Sequence, residues 1–275
     1  IKSTFIFAVV RRKSLQVNVH GCRGSIPSCS AETVGYGGNT SCYEILFDNI
    51  QLIIDTGSGF RTVKLDRDLE KIILYSHWHH DHIQGLPFNG DIFNSANEIA
   101  LCSALSTKRP FRHTLQTYFS GGYFPVDIVT VLKNLKFLNI SELQQKYKTN
   151  FQLDWLELNH PGGSAGYSVH YQNKKFCYLC DNEYETSQSE ALVDFCKGAN
   201  LVIWDGMFTN DELSQKKGWG HSSIEQALDF FESADVSNVL ISHHDPLRTD
   251  AQLDNLARSL PEGVAFAKGG MSIVI

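Results

Sequence analysis

The chain has 275 residues, a hydrophobic fraction of 42% and a formal net charge of −6. This length and composition fit a globular domain with a buried core, and they exclude a mini-protein. No apolar stretch approaches the roughly 20 residues that cross a bilayer, so the sequence predicts no membrane span. The negative charge argues against non-specific nucleic-acid binding, which depends on Lys and Arg contacts with phosphates.

The cysteines and the N-terminus bear on the compartment of the protein. Seven cysteines are an odd number, so we expect no complete disulfide framework and infer a reducing cytosol. Cys177 and Cys180 form a C-x-x-C within an apolar run, without a second such pair, so we interpret them as buried strand cysteines. The apolar run 5–10 precedes its basic cluster, unlike a signal peptide, and is interpreted as a leading strand.

Short apolar runs of strand length end at an Asp or a His in six places. Runs of β-branched and aromatic residues bounded by polar residues predict buried strands. The polar residues that end these runs are Asp55, His77, His160, Asp181, Asp205 and His243. Sites in layered α/β proteins lie where strand ends meet loops, and buried charges need partners. A shared metal centre explains the pattern.

Helices are predicted at 190–197, 223–233 and 250–259, and a last strand at 272–275. Ser222 and Glu225 have the spacing of a capping box at the start of the second helix. In the first helix, one side is expected to carry Ala191, Leu192, Phe195 and Cys196. The region 91–150 has no clear periodicity, and its residues 123–126 are interpreted as a lid or a wall.

Residues 77–82 read His-Trp-His-His-Asp-His, which is the pattern H-x-H-x-D-H. If a strand turns here into the start of a helix, His77 and His79 can face one ion while Asp81 and His82 face another. Imidazole and carboxylate together suit zinc, iron or manganese. His80 fills a spacer position and is not expected to bind metal. The histidines outside the motifs are interpreted as structural or surface residues: His20, His113 and His170.

On these residues, the chain from about Gln16 to Ile275 resembles the metallo-β-lactamase-fold hydrolases. The five motifs of that family are matched, in the family's order, by Asp55, residues 77–82, His160, Asp181 and His243. The resemblance implies an α+β fold, an αββα sandwich of two mixed sheets, with the site at one edge. We expect residues 1–275 to form a single domain of this kind.

The resemblance also implies two divalent metal ions, zinc by preference, with manganese or iron as alternatives. Metal one would be bound by His77, His79, His160 and Asp181. Metal two would be bound by Asp81, His82, Asp181 and His243, so that Asp181 bridges. Asp55 would orient the loop that carries the ligands, a role on which metal sites generally depend. Asp55 and Asp81 are therefore counted among the catalytic residues.

Further segments resemble the phosphodiesterase branch of the superfamily, which includes ribonuclease Z and phosphodiesterases of cyclic nucleotides and cyclic phosphates. They are the Gly-rich loops at 21–27 and 37–41 and the segment 218–223. By this resemblance His221 would protonate the leaving oxygen as a general acid. The site floor would be lined by Asn39, Thr40 and Ser41.

The sequence allows two alternative roles for each of three further residues. Arg23 either pairs with a phosphate or belongs to a structural ion pair. His244 either faces the substrate or supports the ligands, and we count it among the substrate-binding residues. Asp205 either supports the ligands or caps the turn at Gly206.

The expected reaction is hydrolysis of a small phosphodiester or cyclic nucleotide. The metals would lower the pKa of a bound water to about 7 and thus supply hydroxide. The chain lacks the Gly- and Lys-rich arm by which ribonuclease Z grips tRNA, which argues against folded RNA as a substrate. The alternatives are a hydrolase of lactones, thioesters or other carboxylic esters, and a non-enzymatic ligand sensor. A homodimer is the default expectation for assembly.

Overall fold

The computed structural model describes residues 12–95, 97–107 and 111–275, so the leading strand predicted at 5–10 lies outside the described residues. Two sheets organise this part of the chain. The first contains β1 (Arg12–Gly21), β2 (Cys42–Asp48), β3 (Ile50–Ile54), β4 (Glu70–Leu74), β5 (Ile99–Cys102), β6 (Leu135–Leu138) and β13 (Ser272–Val274), in the spatial order β13-β1-β2-β3-β4-β5-β6.

The second sheet contains β7 (Gln152–Leu158), β8 (Ser164–Tyr171), β9 (Lys174–Leu179), β10 (Leu201–Asp205), β11 (Val239–Ser242) and β12 (Val264–Phe266), in the order β12-β11-β10-β9-β8-β7. The two sheets are mixed, since antiparallel hairpins adjoin parallel strands. The six apolar runs that the sequence predicts as strands are confirmed as β3, β4, β7, β9, β10 and β11.

Most helices lie on the outer faces of the two sheets, whereas the helix that begins at Ile140 packs against the core between them. The helices are α1 (His80–Ile83), α2 (Gly90–Asn94), α3 (Phe111–Tyr118), α4 (Ile128–Val131), α5 (Ile140–Tyr147), α6 (Ser189–Cys196), α7 (Asn210–Leu213), α8 (Ile224–Ser233) and α9 (Asp250–Ala257). None of the helices in the described part of the chain is long and apolar enough to span a bilayer.

Alternation along the strands divides the apolar side chains among three layers. In β3, Leu52 and Ile54 face the core between the sheets, whereas Ile53 packs in an outer core with α1, α3 and α4. In β10, Ile203 faces the inner core, and Trp204 packs in the other outer core with α6, α8 and α9. Because successive side chains of a strand point to opposite faces, each buried strand serves two cores. The result is the predicted αββα sandwich.

The direction of the strands places their ends at one edge. Strand β3 is parallel to β4. In the second sheet, β9, β10 and β11 are parallel, and β7 runs in the same direction because it is antiparallel to β8, which is antiparallel to β9. The loops that follow these six strands therefore emerge together, and they carry the six Asp and His residues that the sequence analysis picks out.

One detail of the predicted helices is wrong. The capping box of α8 is formed by Ser223 and Gln226, not by Ser222 and Glu225. The Ser222 hydroxyl donates instead to the carbonyl of Asn182 at 2.5 Å, so it is not available to cap the helix. In α6, Leu192 and Cys196 are buried, and Phe195 packs partly buried against the same core, so this side of the helix faces inward. Ala191 is exposed.

The region 91–150, for which the sequence shows no clear periodicity, forms one edge of the first sheet and the helices beside it. It contains α2, β5, α3, α4, β6 and α5. Of the predicted lid or wall at 123–126, Phe124 packs against Phe119 and Phe88, whereas Tyr123 is 82% exposed. Tyr118, at the end of α3, contacts the ring of His80. The end of α3 therefore lies beside α1.

The cysteines agree with the prediction for the C-x-x-C. Cys177 and Cys180 are buried, and all seven cysteines of the chain are free thiols. The remaining histidines also have local roles, since His20 contacts Glu44 and Thr62. His170 lies 3.8 Å from Asp154 at the surface.

Candidate metal centre

Residues that follow these strands converge into three overlapping groups of metal-competent side chains: two groups of four, and a group of three that consists of Asp181, Asp205 and His221. Within each group, one ligand atom per residue lies within 4.8 Å of all the others. The first donor group consists of His77, His79, His160 and Asp181. The second donor group consists of Asp81, His82, Asp181 and His243. Asp181 is common to both. The structure thus brings together all seven residues that the sequence analysis assigned as ligands, in the two predicted sets.

The loop after β4 supplies four of these side chains because it turns directly into a helix. His77 and His79 lie in the extended segment before α1, and Asp81 and His82 lie in the first turn of α1. His79 is the N-cap residue, with extended backbone. This change of direction lets neighbouring side chains face different donor groups, as the H-x-H-x-D-H spacing predicted.

The distances between donor atoms fit ions of zinc size. In a tetrahedral site with metal–ligand bonds of about 2.0–2.1 Å, two donors are about 3.3 Å apart. Here His79 Nδ1 lies 2.9 Å from His160 Nε2. Asp181 Oδ2 lies 3.7 Å from both His77 Nε2 and His160 Nε2, and 3.3 Å from His82 Nε2.

Several of these donor atoms are buried without a hydrogen-bond partner. They are His77 Nε2, His82 Nε2, His243 Nε2 and Asp181 Oδ1. Buried polar atoms nearly always have a hydrogen-bond partner, so four unpaired atoms in one cluster need an explanation. Among the described residues, neither Asp81 nor Asp181 forms an ion pair with a lysine or arginine. Divalent cations would satisfy these atoms and balance the two carboxylates, so the residues present fit such ions.

Hydrogen bonds at Nδ1 orient three of the imidazoles with Nε2 toward the donor groups. His82 Nδ1 donates to Asp55 at 2.7 Å, and His160 Nδ1 donates to the carbonyl of Gly220 at 2.7 Å. His77 Nδ1 lies 3.0 Å from the hydroxyl of Ser76, which itself donates to Asp55. Such partners fix the tautomer of a ligand histidine and leave the Nε2 lone pair for a metal.

Several of the hydrogen bonds that hold these histidines in place converge on Asp55. Its carboxylate accepts from Ser76 N, Ser76 Oγ, His82 Nδ1 and Tyr178 Oη, at 2.7 to 3.0 Å. Its backbone has a positive φ of 60°, which is strained for a residue other than glycine. Because Asp55 is fully buried and holds His82, its position agrees with the orienting role that the sequence predicts.

A loop near the N-terminus supports the second donor group. The backbone N–H of Ser25 donates to Asp81 Oδ2 at 2.9 Å. Gly24 packs so closely on His243 that a Cβ there would lie 2.6 Å from the ring. His243 itself has a φ of 57°. Ser41 Oγ lies 3.4 Å from His243 Nδ1.

His221 lies beside both donor groups and is paired with Asp205. Its Nδ1 donates to Asp205 Oδ2 at 2.9 Å. Its ring stacks on His243 at 4.9 Å between centroids and meets His160 edge-on at 5.4 Å. Asp205 also accepts from the backbone of Asn182. Asp205 Oδ1 also accepts from Met207 N at 3.2 Å across Gly206, so the contacts bear out both predicted roles of Asp205, support of the site and capping of the turn.

The histidines of the centre differ in the direction in which their pKa is shifted. Burial lowers the pKa of His77, His79 and His160, which keeps these imidazoles neutral and able to bind a cation. Burial also opposes charge on His82, but the carboxylates of Asp181, Asp81 and Asp55 outweigh it and raise the pKa of His82. The carboxylates around the second donor group therefore favour positive charge there, which a bound cation would supply.

Asn39 and Thr40 take part in loop structure. Thr40 is fully buried, and its Oγ1 accepts from Ser58 N at 2.9 Å and from Gln84 Nε2 at 3.1 Å. Asn39 Oδ1 accepts from the Ser58 hydroxyl. Of the predicted floor residues, Ser41 alone contacts a donor group, through His243.

Arg23 and His244 lie differently from the predictions. Arg23 is fully buried and donates to the carbonyls of Gly37, Asp245 and Arg248, so both its phosphate contact and its side-chain ion pair are wrong. His244 is 1% exposed, donates to the carbonyl of Ala267 and packs against aromatic rings. Its position does not fit a substrate contact, because no face of the ring is open.

Ser25 and Glu183 are among the contributors that the sequence analysis missed. Ser25 acts through its backbone, so its side chain gave no signal. Glu183 accepts hydrogen bonds from the loop that precedes His221. A carboxylate two residues after a candidate ligand was a signal available in the sequence, but its partners lie far along the chain.

Comparisons with known proteins agree with this architecture. The profile of the family described as "Beta-lactamase superfamily domain" matches residues 51–244. A ribonuclease Z from Clostridium kluyveri is 25% identical over 297 residues, covering 86% of this chain and 90% of that protein. The probable metallo-hydrolase YhfI from Bacillus subtilis is 24% identical over 245 residues, covering 86% of this chain and 93% of that protein.

Solved structures show the same fold. The crystal structure of YhfI, a metallo-β-lactamase fold protein, matches with a TM-score of 0.70 and 19% identity, covering 96% of this chain and 100% of that one. A diphosphatase from the PhnP family matches with a TM-score of 0.68 and 16% identity, covering 95% of this chain and 97% of that one. The chain therefore belongs to the β-lactamase superfamily domain family and has the metallo-β-lactamase fold.

Proposed function

We propose that the protein is a metal-dependent hydrolase that cleaves small phosphodiesters. Two divalent cations, zinc by preference, would be held by the first and second donor groups. When bound, they would activate a water and neutralise charge that develops on the phosphate. Relatives named ribonuclease and diphosphatase support a phosphate ester as the substrate class.

The observation that carries this proposal is the His221–Asp205 pair beside both donor groups. Cleavage of a phosphodiester expels an alkoxide, which leaves more readily when a nearby acid protonates it. Asp205 holds the Nδ1–H of His221, so Nε2 is the ring atom that can carry a proton to the leaving oxygen. Hydrolysis of a lactone or thioester through the same ligands does not require this pair.

The charge of the chain supports a small substrate. With a net charge of −6, the protein lacks the excess of basic residues that grips folded RNA by its phosphates. A nucleoside cyclic phosphate or a comparable small diester needs contacts only near the donor groups. Free thiols throughout the chain support a reducing compartment such as the cytosol. A homodimer stays a prediction.

The test is hydrolysis by the metal-loaded protein of a cyclic nucleotide, bis(p-nitrophenyl) phosphate and a lactone. We expect both diesters to be cleaved and the lactone to be spared. His221→Ala should lower kcat on the cyclic nucleotide by about 10²–10⁴-fold, because the acid is lost. The loss should be smaller on bis(p-nitrophenyl) phosphate, whose leaving group departs without a proton.

His170→Ala is the matched control, because His170 also pairs with an aspartate but lies away from the donor groups, on β8. Metal content of each variant is measured before the assay. If His221→Ala keeps full activity on the cyclic nucleotide, or if the lactone is the better substrate, the proposal is wrong.

A further inference from the structure

The carboxylate of Glu183 holds the loop that leads to His221. Gly218 N donates to Oε1 at 2.9 Å and to Oε2 at 2.8 Å, and Gly220 N donates to Oε2 at 2.8 Å. Both glycines have positive φ, at 84° and 86°, a conformation that leaves the loop many alternatives when it is not held. Trp219 between them is 57% exposed, so its side chain does not anchor the loop in a core.

This loop touches the centre at two consecutive residues. The carbonyl of Gly220 accepts from His160 Nδ1 at 2.7 Å. The fit is close, since a Cβ on Gly220 would lie 2.2 Å from the same nitrogen. His221 follows directly and bonds to Asp205. A displacement of the loop would therefore move the partner of one ligand and the candidate acid together.

Glu183 is itself fixed by the strand ends that carry the ligands. Its backbone N–H donates to the carbonyl of Asn159 at 2.7 Å, and Asn159 Nδ2 donates to the carbonyl of Glu183 at 3.0 Å. Asn159 precedes His160, and Glu183 follows Asp181 by two residues. The carboxylate therefore reaches from the paired segments that follow β7 and β9 to a loop whose glycines can adopt many backbone conformations.

We propose that Glu183 is a positioning residue that sets the orientation of both His160 and His221 through the 218–220 loop. Backbone N–H groups that converge on one carboxylate make charge-assisted hydrogen bonds, which are stronger than neutral ones. The part that concerns His221 rests on the proposed function. The part that concerns His160 does not, because it is a statement about metal affinity.

The first experiment measures zinc affinity by titration against a chromophoric chelator, without substrate. Partners of metal ligands typically contribute 10–100-fold in affinity, so Glu183→Ala should weaken one of the two binding steps about 10-fold and spare the other. Glu183→Gln should fall between Glu183→Ala and the wild type, because its amide oxygen can still accept from Gly218 and Gly220.

Glu225→Ala is the matched control. Its carboxylate also accepts from a backbone N–H, that of Asn210 at the start of α7, at 2.8 Å, but among the described residues it has no contact with His160 or His221. Thermal melting of each variant checks folding, and Glu183→Gln carries the test if Glu183→Ala does not fold. Zinc affinity equal to that of Glu225→Ala would overturn the His160 part of the proposal.

The second experiment compares leaving groups. If Glu183 positions the acid, Glu183→Ala should lower kcat on a cyclic nucleotide several-fold more than on bis(p-nitrophenyl) phosphate, as His221→Ala does. An equal loss on both substrates would overturn the His221 part. If the wild type cleaves no diester, the proposed function fails and the His221 part fails with it, while the zinc titration still decides the His160 part.

Discussion

The two donor groups share Asp181 but differ in burial and in what supports them. The second group is buried throughout, whereas His79 of the first group is exposed. Asp55, Ser25 and Gly24, all in the first part of the chain, support the second group. The first group depends on Gly220, close to the C-terminal helices, for the orientation of His160. Each group therefore has supports of its own, while Asp181 belongs to both and Asp55 also reaches His77 of the first group through Ser76.

The largest expected effect comes from the shared residue. Asp181→Ala removes a donor from both groups and leaves facing histidines without their common carboxylate. We expect both zinc-binding steps to weaken by more than the roughly 100-fold upper end for an outer partner, and hydrolysis to be abolished. Zinc titration and metal analysis measure this. Retention of one binding step at wild-type affinity would contradict the sharing of Asp181 by both groups.

Asp55→Asn should act more strongly on the second donor group, because Asp55 bonds directly to His82 but reaches His77 only through Ser76. The amide places N–H donors where His82, Ser76 and Tyr178 now donate to a carboxylate. We expect about 10–100-fold weaker binding of one zinc, and a smaller loss in the other step. Each buried donor left without an acceptor should also cost about 1–3 kcal/mol of unfolding free energy. Chelator competition and urea denaturation report the two effects, and equal weakening of both steps would contradict the separation.

Gly24→Ala is expected to have the smallest of these effects on zinc binding. It also tests whether the second donor group has supports of its own. Its Cβ would lie 2.6 Å from the ring of His243, so the ring or the loop must move. We expect about 10-fold weaker binding in the second group only, at the lower end of the range for indirect support. Gly90→Ala is the control, since a Cβ there meets nothing within 4 Å. If both alanines behave alike in zinc titration, Gly24 does not support the site.

The sequence could predict those features that depend on local pattern. Apolar runs that end in Asp or His predicted the strand ends, and the spacing of residues 77–82 predicted two donor groups on one turn. The order of the motifs, through the family resemblance, predicted the sandwich. In each case the signal lies within a few residues, and alternation and ligand type are both read directly from the chain.

The features that were missed depend on contacts between distant residues. Ser222 and Ser223 are equally good caps by sequence, and the hydrogen bond from Ser222 to Asn182 decides between them. Arg23 was expected to meet an anion, but the fold offers it backbone carbonyls. The partners of Glu183 lie 35 and 37 residues further along the chain. No local pattern encodes such pairings.

The donor groups combine residues from loops of both sheets. The ligands of residues 77–82 follow a strand of the first sheet, and the others follow strands of the second. An unfolded chain cannot bring these donors together, so a cation binds the native state preferentially and stabilises it by about 2.7 kcal/mol when present at 100 times its Kd. In a cell short of the metal, proteolysis would therefore lower the abundance of this protein, in addition to the loss of its catalysis.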